Sequence, residues 1–97
     1  MTDRELLELA AKAAGYELAD TKPDYPLWVE GVGLWNPLTD DGNAFRLAVR
    51  LGMIVREGQA QCGDVWCIEP PSPNSDPFAE TRRAVVRAAA EMAKTLA

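Results

Sequence analysis

The chain contains no histidine and only two cysteines, Cys62 and Cys67. Without histidine, no serine–histidine or cysteine–histidine nucleophile pair can be assembled. A structural zinc site needs about four ligands, so two cysteines fall short. They also fall short of a disulfide framework. The two stand five positions apart, so on one continuous strand they would face opposite ways and could not bond. Both are expected as free thiols, with no metal and no cofactor.

Long apolar runs are missing too. None approaches the roughly 20 residues that a membrane helix requires. The opening "MTDRELLE" is acidic and helical in pattern, unlike a secretory signal. A basic cluster is also absent, because the arginines interleave with glutamates on predicted helices. Direct binding to nucleic acid is therefore not expected. What is present is ordinary globular composition, 47% hydrophobic and 26% charged, the signature of a soluble, cytoplasmic protein. At 97 residues the chain has room for one core, so 1–97 reads as a single domain.

The net charge of −5 is uneven. Residues 1–45 carry nine acids and three bases, a balance of −6. Residues 46–97 carry six acids and seven bases, a balance of +1. An acidic N-terminal half suits a basic partner, although solubility alone also calls for net charge.

Three helices are legible. Thr2 and Glu5 form a capping box, Leu6, Leu7, Leu9, Ala10, Ala13 and Ala14 give an apolar face, and Gly15 ends the helix. A second helix spans about Asp40 to Leu51, with Ala44, Phe45, Leu47, Ala48 and Leu51 inward and Gly52 as its stop. The third starts at Asp76–Pro77, a cap followed by proline at the first helical position. Its predicted stripe is Phe78, Val85, Ala88, Ala89, Met92 and Leu96, with Glu80–Arg83 and Arg87–Glu91 spaced for surface ion pairs.

Between the helices, "YELADTKPDYP" reads as a short extended piece and a turn, since Pro23 and Pro26 exclude helix. "LWVEGVGLW" is strand material, either one bent strand or a very short hairpin around Gly31 and Gly33. "MIVRE" and "DVWCIE" flank "GQAQCG" and predict an antiparallel hairpin with a loose loop. Trp28 and Trp66 read as core or layer-interface residues. "PPSPNSDP" is a proline-rich connector. The order predicts an α+β fold, three main helices packed on a small antiparallel sheet in helix–sheet–helix layers.

The stretch "WNPLTDDGNAF" is where a site is most readable. Asn36–Pro37 forces a turn, Thr39 or Asp40 caps the second helix, and Asp41 complements its dipole. Gly42 is the anomaly, since glycine in a first turn costs about 0.5–1 kcal/mol relative to alanine. Tolerating it suggests close approach of a ligand or another backbone. Trp35, Asn36, Asp40, Asp41, Gly42 and Asn43 are thus the candidate binding residues, and helix capping is the competing explanation. Arg82 and Arg83, near the start of the third helix, are candidates for an anion or an acidic patch. The spacing does not fit the calcium loop of an EF-hand. Adjacent Asp40 and Asp41 point different ways on a helix and lack a third group for acid–base work, so no enzyme is expected.

The words "WNPLTDDGNAFRLAVRLG", "LLELAAKAAGYEL" and "DPFAETRRAVVRAAAEMA" resemble small proteins encoded by bacteriophages and prophages. Some of these are grouped as a phage helix–sheet–helix ("ABA") sandwich domain. The resemblance spans both ends and the centre; Thr21 to Gly33 and Gln59 to Ser75 lie outside it. It implies a phage accessory protein with an α/β sandwich and carries over no catalytic residue. The expectation is a non-enzymatic phage protein that binds a host protein or protein complex. One concrete form is an inhibitor of host defence of the anti-CRISPR kind, and self-association as a homodimer stays open. The alternative is a small-ligand domain that captures a nucleotide signal through Trp35–Asp41 with Arg82 and Arg83.

Overall fold

The computed structural model describes residues 2–19, 27–71 and 76–95. Pro23, Pro26, the centre of the proline-rich connector and Leu96 lie outside the described residues. Helix α1 spans Asp3–Ala14. The Thr2 hydroxyl accepts from the Glu5 N–H, the Glu5 carboxylate reaches back to Thr2, and Gly15 closes the helix at φ 75°. Both ends follow the capping rules that the sequence obeys.

The "LWVEGVGLW" stretch is a hairpin, not one bent strand. Strands β1 (Trp28–Val29) and β2 (Gly33–Leu34) pair antiparallel. Gly31 at φ 84° and Gly33 at φ 102° take backbone angles that residues with a Cβ avoid, which allows a three-residue loop. Leu18 adds an isolated bridge to Val29.

Helix α2 spans Asp41–Arg50 and is capped by Asp40. Strands β3 (Ile54–Arg56), β4 (Gln59–Cys62) and β5 (Val65–Ile68) form an antiparallel meander in that order. Here the expectation of one hairpin with a loose "GQAQCG" loop is corrected. Glu57–Gly58 and Gly63–Asp64 are each two-residue turns, with Gly58 at φ 69° and Gly63 at φ 59°. Between them, Gln59-Ala60-Gln61-Cys62 alternates polar and apolar and is a strand in its own right.

That turn also corrects the argument about the cysteines. Cys62 and Cys67 stand on neighbouring strands and on the same face, because Cys62 pairs with Val65 and Ala60 with Cys67. Both are buried, and both are free thiols. They are diagonal rather than directly opposite, a separation of about 7–8 Å in an antiparallel pair.

Helix α3, Pro77–Thr95, is the hub. Asp76 caps it, accepting from the N–H groups of Phe78 and Ala79. Helices α1 and α2 and the three-stranded sheet each pack chiefly on α3. A helix covered on several sides should be apolar around most of its girth. Accordingly Ala84, Val85, Val86, Ala88, Ala89, Ala90 and Ala93 are all buried. Their small side chains let α1, with its own Ala10, Ala11 and Ala14, come close.

The predicted α+β fold of three helices and antiparallel strands is present, with the strands divided into sheets of two and three. Some predicted core positions are not core. Phe45 is 70% exposed and Phe78 is 68% exposed. Trp28 and Trp66 are also exposed. The buried faces of the helices are held by alanines with Leu7, Leu47, Val85 and Val86, whereas Phe45 and Phe78 face an open groove and Trp28 and Trp66 stand on the exposed faces of their strands. Arg83 and Arg87 are bridged to other elements, to Asp3 at 3.0 Å and Glu69 at 2.6 Å. Among the described residues, no helix is long and apolar enough to cross a membrane.

Candidate functional site

The Trp35–Asn43 stretch folds into a closed knot of internal bonds. Trp35 is only 2% exposed and meets Tyr16 edge-on, with ring centroids 5.7 Å apart. The Arg50 guanidinium lies over the other member of that pair, 4.9 Å from the Tyr16 centroid, and its Nε donates to the Ala14 carbonyl. The Asn36 N–H donates to Asn43 Oδ1 at 2.8 Å, while Asn36 Oδ1 accepts from the Leu38 N–H at 3.0 Å. Asp40 Oδ1 accepts from the Asn43 N–H at 2.8 Å.

Gly42 has an explanation within this knot. Its backbone is helical, and a Cβ placed there would come within 3.2 Å of Asp40 Oδ1. The capping carboxylate is held in place by Asn43. The close approach that the sequence suggested is therefore internal to the helix cap. Among the described residues, no second element is involved in it.

Arg82 crosses from α3 to this region. Its Nη1 donates to Asp41 Oδ1 at 2.6 Å and its Nε to the Leu38 carbonyl at 2.9 Å. Arg83 points elsewhere, to Asp3 on α1. The two arginines do not converge on one anion site. Each already has a carboxylate partner.

Six of the eight predicted residues border two separate hollows; Gly42 and Arg83 border neither. Trp35, Asn36, Asp40 and Asn43 line one of about 400 Å³, together with Arg4 and Leu34. Asp41 and Arg82 rim the other, a groove of about 660 Å³ between α2, β3 and the start of α3. The groove is apolar: Phe45 and Val49 stand on its α2 wall, Val55 on β3, and Phe78 on α3. All four are exposed. These were the residues that sequence reasoning missed. Phe45 and Val49 are four apart, so they form a second stripe beside Ala44 and Ala48. The apolar arc of α2 is wider than its one buried face requires.

Other chemistry is sparse. Among the described residues, no three His, Cys, Asp or Glu side chains are grouped to hold a metal. Burial pushes the Cys62 thiol above its ordinary value. Burial also pushes Cys67 up, against the opposing charge of Arg87. A thiol kept protonated is a poor nucleophile. The Arg87 guanidinium is held more firmly charged by its hydrogen bond to Glu69.

No protein-family model, curated protein or solved structure matches this chain.

Proposed function

We propose that this chain is a non-enzymatic protein that binds another protein through the apolar groove between α2, β3 and α3. The observation that carries this reading is the placement of large side chains. Alanine is the commonest buried residue, while Phe45, Val49, Val55 and Phe78 are set around one open groove. Contiguous exposed apolar surface of this kind, rimmed by polar groups, marks interaction sites. Phenylalanine anchors give such a surface the area that a binding hot spot requires.

The class of occupant follows from shape and charge. The groove runs between two helices and a strand, which suits an amphipathic helix with two or three apolar anchors. Glu57 stands on its rim, and Arg82 there is neutralised by Asp41. The occupant is therefore neutral to basic on its polar side. The textual likeness to phage-encoded proteins makes a host protein the partner, the host cytoplasm the location and interference with host defence, of the anti-CRISPR type, the biological role. Binding to nucleic acid is not part of this reading, since Arg4, Arg82, Arg83, Arg87 and Lys94 each sit on a carboxylate.

The small-ligand alternative has less support. A nucleotide signal needs converging cations, and Arg82 and Arg83 are each paired to a different acid. A photoreactive phenylalanine analogue at position 45 or 78 tests the proposal in bacterial lysate. Cross-linking of the same protein from both positions supports it; no cross-linked protein from either overturns it.

A further inference from the structure

The three-stranded sheet leaves β5 as an edge, and the register shows which of its groups are free to pair. The Glu69 N–H donates to the Gly58 carbonyl at 2.7 Å, so residues 58 and 69 are a hydrogen-bonded pair of the β4–β5 ladder. Bonded and non-bonded pairs alternate along an antiparallel ladder. Cys67 therefore turns its N–H and C=O toward Ala60, while Trp66 and Ile68 turn theirs outward. Among the described residues, no strand pairs with this edge. Arg87, among the described residues, reaches it with Nη1 3.5 Å from the Ile68 carbonyl.

Natural sheets protect such edges with lysine, proline or a bulge. Val65-Trp66-Cys67-Ile68 has none of the three. Its outward side chains, Trp66 and Ile68, are instead apolar and about half exposed. By contrast, the opposite edge strand β3 carries Arg56.

We propose that β5 pairs antiparallel with β5 of a second copy of this chain, about a two-fold axis at Cys67, joining the two sheets into one. This register follows from the geometry. Residues facing each other across a ladder share a face, so only even offsets keep Trp66 and Ile68 on the outer side. Placing Cys67 on the axis sets Trp66 against Ile68 of the second copy, twice. All four outward N–H groups then find carbonyls. The two large apolar side chains also cover each other in the cross-strand contact that stabilises sheets.

Charge on α3 suits the same axis. Arg87 lies at the β5 edge, held by Glu69, and Glu91 follows it one turn later on the flank of α3. A two-fold operation at Cys67 runs the two α3 helices antiparallel. Arg87 of one copy is then brought to Glu91 of the other, opposite charges facing in both halves. An isologous interface requires this self-complementarity.

Sedimentation equilibrium from low to high micromolar concentration tests the pairing. The full chain should be dimeric. Ile68→Pro removes an outward N–H and leaves the β4 ladder intact, so it should keep its circular dichroism and sediment as a monomer. Trp66→Lys, a side-chain change at an exposed site, should raise the dissociation constant roughly tenfold or more. Ile54→Lys, on the same outer face but on β3, should leave the dimer intact. A parent chain that stays monomeric overturns the proposal. So does a dimer that survives both β5 variants, or one that Ile54→Lys dissolves, which would indicate stacking of outer sheet faces instead.

Discussion

Arg82 and Asp41 meet at 2.6 Å, and this contact ties the first turn of α2 to α3 across one end of the apolar groove. The pair is unequal: Asp41 is largely exposed, while Arg82 is mostly covered and also donates to the Leu38 carbonyl. An exposed ion pair contributes less than about 1 kcal/mol. A part-buried carbonyl that loses its donor costs about 1–3 kcal/mol.

Asp41→Ala should therefore lower unfolding free energy by about 0.5 kcal/mol, and Arg82→Ala by about 1–2 kcal/mol. Urea denaturation of the two single variants and the double variant measures both. Equal losses from the two single variants would show that the Leu38 bond contributes nothing.

The glycine at position 42 leads to a coupled prediction. Alanine there gains about 0.5–1 kcal/mol of helix propensity, but its Cβ would press on Asp40 Oδ1 at 3.2 Å. In the parent chain these effects oppose each other, and Gly42→Ala should change stability little. In an Asp40→Ala background the obstruction is gone, and Gly42→Ala should stabilise by about 0.5–1 kcal/mol. Thermal melts of the four proteins give the coupling. A stabilisation that is equal in both backgrounds would show that the cap carboxylate is not the obstacle.

The helix starts were legible in the sequence. Thr2 with Glu5, Asp40, and Asp76 with Pro77 are local signals, because a cap is written within four residues of its helix. The same locality explains what was misread. Strand β4 hid between two glycine turns, since a four-residue strand carries too short an alternation to stand out from a loop. Phe45 and Phe78 read as core in the sequence because their spacing fits a helical stripe. Whether a stripe is buried depends on what packs against it, and in this fold Phe45 and Phe78 face an open groove. The partners of Arg82 and Arg83 lie 41 and 80 positions away in the chain. No local pattern encodes such contacts.

The thiols give a pH prediction. Burial raises both above the ordinary value of 9.0 in the folded chain. The unfolded chain therefore ionises first. The stability contributed by the neutral thiols is fully present below the ordinary value and is lost as pH rises through the raised ones. Stability measured by urea titration should decline above about pH 9, and a Cys62→Ala, Cys67→Ala chain should show less of that decline. An identical alkaline decline in both chains would remove the thiols as its cause.

The central claim is that the groove holds a protein partner, and quantitative capture from bacterial lysate tests it most directly. Immobilised parent chain is compared with Phe45→Asp and Phe78→Asp in the groove, and with Val32→Asp at the exposed tip of the β1–β2 hairpin. Loss of one anchor at a hot spot costs about 2 kcal/mol or more. The account predicts a partner whose recovery falls at least about tenfold with either groove variant, while Val32→Asp recovers it like the parent. Equal recovery by the parent and both folded groove variants would contradict it.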